Sequence, residues 1–142
     1  MDEKLTVSNN FEDCVKVRSK VFVEEQGFDK EMEFDDIDDY AEHIALYSNN
    51  KLIGCGRLYE TEENIYRLGR IAILKEYRHQ GNGKYLLSVL ENRAIERGAR
   101  HIIILGQLSA LGFYHKMGYR EIGDVIVEDK VPEMYMRKIV NQ

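Results

Sequence analysis

The sequence predicts an α/β domain, and three observations carry that reading. A short apolar run, Ile71-Ala72-Ile73-Leu74, is followed by a glycine-bearing loop and then by Leu86, Leu87, Leu90, Ala94 and Ile95 at helical spacing, which reads as strand, loop and helix. Two strand-like stretches, His43–Ser48 and Lys51–Tyr59, flank Asn49-Asn50, a pair suited to a tight hairpin turn. A further buried strand, His101–Leu105, follows Gly98 at the helix stop. At 142 residues and 44% hydrophobic composition, the chain is expected to form one domain, residues 1–142, with a real core.

In chain order, Lys4–Val7 is a short edge strand that ends at Ser8-Asn9-Asn10. Asn10 is placed to cap a helix starting near Phe11, with Glu12 and Asp13 favourable in its first turn, and the helix should stop at Gln26-Gly27. From Glu24 to Glu42 there are ten acids and one base, Lys30. That run reads as solvated surface. Gly54 and Gly56 mark a bulge or a close approach within the hairpin, and Ile65–Leu74 is the next strand. After His101–Leu105 and Gly106-Gln107, Ser109 is expected to cap a helix from Ala110 to Lys116 that Gly118 ends. Tyr119–Gly123 and Met134–Ile139 complete the strands, joined by a polar loop from Asp124 to Glu133 whose exit Pro132 fixes.

The loop Arg78-His79-Gln80-Gly81-Asn82-Gly83 is where chemistry concentrates. The first turn of the following helix has N–H groups without intrahelical partners and carries partial positive charge. Glycines let several such groups converge on a phosphate, and Arg78 and Lys84 add charge at the rim, so the stretch reads as a pyrophosphate cradle. It is not a Walker loop, because Tyr85 follows Gly83-Lys84, nor a dinucleotide loop, because Leu86 stands where a third small residue is needed.

This pattern resembles the Gln/Arg-x-x-Gly-x-Gly/Ala loop of the GCN5-related N-acetyltransferases (GNAT). The resemblance covers nearly the whole chain. Val17-Arg18, Val21-Phe22-Val23-Glu24-Glu25-Gln26, Ala41-Glu42-His43, Gly56-Arg57-Leu58, Gly69-Arg70-Ile71-Ala72 and Phe113-Tyr114-x-x-x-Gly118-Tyr119 look like the small bacterial branch typified by ElaA and YjcF. It implies a mixed, mostly antiparallel central sheet of about six to seven strands flanked by about four helices. It further implies acetyl-CoA as co-substrate, held by Ile71, Ala72 and Ile73 on a splayed strand, by the loop Arg78, His79, Gln80, Gly81, Asn82, Gly83 and Lys84, and by Gln107, Phe113 and Tyr114. Arg18, Glu25, Gln26, His43, Arg57 and Arg70 fall on the acceptor side. The resemblance alone implies a competing reading of the acidic run, a negative field that attracts a cationic amine, with Asp38 and Asp39 the sharper choices. A homodimer is among the assemblies that relatives form.

Acetyl transfer to an amine needs a neutral nucleophile and a neutralised leaving thiolate. By resemblance Tyr114 donates to the coenzyme sulfur, since a phenol of pKa about 10 stays protonated at neutral pH. Several relatives carry Pro-His near the end, whereas this chain has Pro132-Glu133. Glu133 is therefore the candidate base, with cation binding and a solvent-facing role as its alternatives, and His43 is a second candidate. Covalent transfer through Cys55 is a weaker route, because no activating pair lies near it. The expected reaction is direct attack by a small-molecule amine in a ternary complex. An acyl-CoA-binding regulatory module with little turnover is the alternative, and a Rossmann-type nucleotide binder a third.

A net charge of −5 without basic, aromatic-interleaved stretches argues against nucleic acid as a partner. No apolar run reaches membrane-spanning length, and the start does not read as a signal peptide, so a cytoplasmic location is expected. Cys14 and Cys55 should be reduced thiols, and the histidines lack metal-ligand spacing with them, so no metal is expected.

Overall fold

A computed structural model describes residues 4–128 and 131–140. One seven-stranded sheet runs in the order β1-β2-β3-β4-β5-β7-β6. Its strands are β1 Leu5–Asn9, β2 Glu42–Ser48, β3 Lys51–Glu62, β4 Ile65–Ile73, β5 His101–Gln107, β6 Arg120–Glu128 and β7 Val131–Ile139. Neighbours are antiparallel except β4 and β5, as in the mixed sheet expected. The helices are α1 Phe11–Arg18, α2 Lys30–Glu33, α3 Asn82–Glu96 and α4 Leu111–Lys116.

Strand alternation sorts the core onto two faces. Ile44 and Leu46 of β2 pack in one cluster with Leu86, Leu87 and Leu90 of α3, while Ala45 joins Cys14 and Val17 of α1. Gly56 allows α3 this close, since a Cβ there would stand 2.6 Å from Leu90 Cδ1. The β2–β3 turn falls on Asn49 and Asn50, with φ of +50° and +69°, the left-handed pair that suits the twist of a two-residue hairpin.

Asn10 caps α1, its side chain accepting from the Asp13 amide at 2.9 Å. The helix expected to continue to Gln26 changes character, because Ser19–Glu25 is a π-helix in which the Gln26 amide bonds back to Val21 O at 3.0 Å. The wider turn keeps Val21 in the core while Phe22 and Gln26 face the cleft described below. Gly27, at φ +77°, ends it.

Two expectations are corrected. Ser109 caps nothing; it lies in a 3-10 turn, Leu108–Ala110, and α4 starts at Leu111 without a side-chain cap. The polar loop from Asp124 to Glu133 is mostly strand, because β-branched Val125, Ile126 and Val127 extend β6 past an irregularity near Gly123 and pair with the start of β7. Residues 129 and 130, inside that expected loop, and residues 1–3 lie outside the described residues. Pro132 therefore sits within β7, one place beyond its last pair with β5, where one side of the ladder is open.

Candidate active site

The sheet's single parallel junction opens into a cleft. β4 and β5 pair only over Ile65–Leu68 and His101–Ile104. β4 continues on its other edge with β3, as far as Ile73 opposite Gly54, through an irregularity between Cys55 and Arg57. At that bulge Arg70 holds φ at +48°, a left-handed conformation that a residue with a side chain keeps only where its surroundings fix it. The wedge between the diverging strands is a cleft of about 350 Å³. Gly69 to Ile73 form one wall and Ile104, Leu105 and Gln107 the other. Phe22, Gln26 and Phe28 close it on the side of the π-helix, and Tyr114 and Glu133 complete it. A strand with a partner on one edge leaves alternate amides and carbonyls directed at the gap.

The glycine loop lies at the end of that wall. His79 and Gly81 have φ of +62° and +84°, and Gly81 is the N-cap of α3. The first bond inside the helix runs from Tyr85 N–H to Gly81 O at 3.1 Å, so the amides of Asn82, Gly83 and Lys84 precede the helical ladder. Open space surrounds Gly81, so its glycine serves the backbone angle, not a tight contact. Asn82 is 2% exposed and its side chain donates to Tyr77 O at 2.9 Å, closing the loop from within. Gln80 likewise donates to Glu76 O at 3.1 Å. Arg78 donates through Nε to Ile73 O at 2.8 Å and grips Glu25 with both terminal nitrogens at 2.7 and 2.8 Å. That bidentate bond holds the Glu25 carboxyl below its usual range and raises Arg78.

Tyr114 lies against Gly106, whose absent side chain makes the room: a Cβ would stand 3.0 Å from Tyr114 Cε2. Burial pushes its phenol up to about 12, so it remains a hydrogen-bond donor throughout the neutral range. Across the cleft Gln107 donates to Gln26 at 3.0 Å. Glu133 is the strand partner of Gln107 on β7 and shares its side of the sheet.

A family model for the acetyltransferase (GNAT) domain matches residues 9–140. The chain belongs to the GNAT acetyltransferase family. It is 34% identical to the N-acetyltransferase YjcF of Bacillus subtilis, over 95% of this chain and 99% of that protein. A GNAT-fold crystal structure of a candidate N-acetyltransferase from Lactobacillus plantarum superposes with a TM-score of 0.89 at 34% identity, covering 99% of this chain and 100% of that one. Escherichia coli ElaA shares the fold, with a TM-score of 0.78 at 18% identity over 96% and 99% of the two chains. So does a GNAT acetyltransferase from Elizabethkingia anophelis solved with acetyl-CoA bound, at a TM-score of 0.71 and 19% identity over 96% and 98%.

Against this GNAT frame, the structure brings Ile71, Ala72, Ile73, Arg78, Gln107, Tyr114, Gln26, Arg70 and Glu133 to the cleft. Phe113 stands beside Gly83, while His79 and Lys84 are exposed on the loop. Four residues expected on the acceptor side are elsewhere. Arg18 and Arg57 are 1% and 3% exposed and spent on ion pairs with Glu33, Asp35 and Asp38. His43 stacks on Phe11 at 4.5 Å, and its Nε2 lies 3.0 Å from Asp38 O, which makes it structural and removes it as the second base. Glu25 is committed to Arg78. The acidic run divides: Glu24, Asp29, Glu31, Asp36 and Asp39 are exposed, whereas Glu33, Asp35 and Asp38 are paired with arginines. Asp38 is bound at 2.8 Å by both Arg18 and Arg57. Burial works against the Asp35 and Asp38 charges, but the arginines outweigh it and hold both carboxyls below their usual range. Cys55 is fully buried, and burial raises its thiol well above the ordinary value, which disfavours acyl transfer through it. The charged cleft residue that sequence reasoning missed is Glu33, whose only signal was membership of the acidic run; Phe28, Ile104, Leu105 and Ala110 were missed as well. Among the described residues no group of three or more His, Cys, Asp or Glu side chains is placed to hold a metal, and no helix is long and apolar enough to cross a membrane.

Proposed function

We propose that the protein is an acetyl-CoA-dependent N-acetyltransferase that acetylates a small-molecule amine by direct attack in a ternary complex. The observation that carries this reading is the wedge between β4 and β5, lined from Ile73 and Arg78, beside the glycine loop, to Tyr114 and Glu133. The coenzyme's diphosphate is assigned to the amides of Asn82, Gly83 and Lys84, and its pantetheine arm to the backbone of Ile71 to Ile73. A cleft-facing amide of that strand is the donor for the charge that develops on the thioester oxygen.

Glu133 takes the proton released as the C–N bond forms. As the C–S bond breaks, the Tyr114 hydroxyl hydrogen-bonds the departing thiolate, which takes up a proton from solvent while Glu133 returns to solvent the one it received. The net change is one amide and one free thiol. A cytoplasmic setting suits the reading, since reduced Cys14 and Cys55 persist there.

The test is a screen of amines with CoA thiol release as readout, beside calorimetric titration with acetyl-CoA. Binding followed by acceptor-dependent release supports the reading. Tight binding without release on any amine favours an acyl-CoA-binding regulatory module, and selective NAD binding would remove both.

A further inference from the structure

Glu33 closes α2 and reaches the cleft while remaining 6% exposed. Its main-chain carbonyl accepts from Arg18 at 2.7 Å and from Arg70 at 3.2 Å. Its carboxylate is held by the same two residues, Arg18 Nε at 3.2 Å and Arg70 Nε at 3.1 Å. Both bridges fall on Oε1 of a side chain that lines the cleft. A carboxylate fixed at both ends has almost no rotational freedom left to lose on binding.

The arginines behind Glu33 are committed. Arg18 also grips Asp38 at 2.8 Å, Arg57 grips Asp35 and Asp38 at 2.8 Å, and Arg70 reaches Asp35 at 3.3 Å. Three guanidinium groups thus face three carboxylates, and of those acids only Glu33 lines the cleft. Burial raises its carboxyl above the ordinary range, against the pull of Arg70, Arg18 and Arg57. Beside it Phe22 and Phe28 meet edge to face, with ring centroids 6.4 Å apart, and Glu133 adds a second acid to the cleft.

We propose that Glu33 is the specificity-determining carboxylate of the acceptor site: its carboxylate receives the amino group of an amine that arrives as a cation, with its apolar stem on Phe22 and Phe28, and it rejects acceptors bearing a carboxylate. The bound amine releases one proton to solvent before it attacks as the neutral amine. This rests on the acetyltransferase reading above. Both arginines in the cleft wall are engaged, Arg70 by Glu33 and Asp35 and Arg78 by Glu25, so an acceptor carboxylate would meet two acids and committed arginines.

The experiment compares 2-phenylethylamine with phenylalanine, the same skeleton without and with a carboxylate, in the wild type and in Glu33→Gln and Glu33→Asp. CoA release gives the rates, calorimetry the acetyl-CoA affinity and a thermal melt the folded state. In the wild type the amine is favoured by at least about tenfold in kcat/KM. Glu33→Gln raises the amine's KM by about tenfold or more, with a smaller effect on kcat, and narrows the preference. Should Glu33→Gln fail to fold, Glu33→Asp keeps the charge and withdraws it by one methylene, and KM should still rise. An unchanged amine KM in a folded variant, or a wild-type preference for phenylalanine, overturns the proposal and leaves the acetyltransferase reading intact. Absence of turnover on every amine overturns that reading, and this proposal with it.

Discussion

Replacing Gly106 by alanine tests whether the position of Tyr114, and not its mere presence, sets the rate. The new Cβ would lie 3.0 Å from Cε2 and 3.1 Å from Cδ2 of the Tyr114 ring, and 3.6 Å from Leu111 Cδ2. Ordinary carbon contacts begin near 3.5 Å, so the ring must retreat by about half an ångström. The ring already packs on Phe113 and Tyr119 with centroids 5.3 and 6.0 Å away, which resists that retreat. Overpacking of this kind costs about 1–3 kcal/mol of stability. A displacement of about 1 Å at a reacting group costs about a hundredfold in rate, so half that distance corresponds to about tenfold in kcat. Acetyl-CoA affinity should hardly change, because the α3 amides and the β4 backbone are untouched. The assay is CoA release under saturating acceptor, with calorimetric titration and a melting curve for each protein. If Gly106→Ala folds, binds acetyl-CoA and turns over at the wild-type rate, the Tyr114 hydroxyl does not serve the leaving sulfur from its observed place.

Further outcomes can be checked with the same tools. Tyr114→Phe should lower kcat by about 10- to 100-fold, the worth of one hydrogen bond to a charged group, with little change in acetyl-CoA affinity. The wild-type rate should show no loss from Tyr114 ionisation below about pH 11, since that phenol titrates at about 12. Glu133→Gln should remove the acidic limb of the kcat profile along with most of the rate, and an unaltered profile would discard the base assignment. Gly81→Ala forces a side chain to φ +84° and should cost about 1–2 kcal/mol of stability while weakening acetyl-CoA more than it lowers kcat, as seen by melting and calorimetry. Asp35 and Asp38 have folded pKa values below their unfolded ones, so their stabilisation is full above about pH 4 and drains away as pH falls through the folded values. Denaturant titrations at pH 7, 4 and 3 should show that decline, and Asp38→Asn should flatten it.

The parts of the fold legible from sequence are those written in local pattern. The apolar periodicity of Leu86 to Ala94, the Asn49-Asn50 turn and the cap at Asn10 each act within a few residues, and each is found where the pattern puts it. The π-helix was invisible, because Ser19–Glu25 carries an ordinary helical composition and its widening answers packing against the sheet on one side and the cleft on the other. The extended β6–β7 pair was missed because Asp124 and Pro132 are strong loop signals, and cross-strand pairing overrides them. The same division holds at the site. The glycine loop and the Phe113-Tyr114 pair were readable as motifs. Acid-rich composition, in contrast, could not say that Glu33, Asp35 and Asp38 would each find an arginine from α1, β3 or β4, because those partners lie at least 15 residues away in sequence.

The parallel junction also divides the sheet into two leaves. β1 to β4 form one and β5 to β7 the other, and four residue pairs stitch them along a seam that parts beyond Leu68 and Ile104. A sheet resists shear through its ladder bonds, so this short seam is its softest line. Whatever lies in the fork beyond Leu68 and Ile104 borrows main-chain bonds from both leaves and stiffens them against each other. Loading the coenzyme would then be felt as rigidity far from the reacting atoms, first as slower amide exchange along β4 and β5.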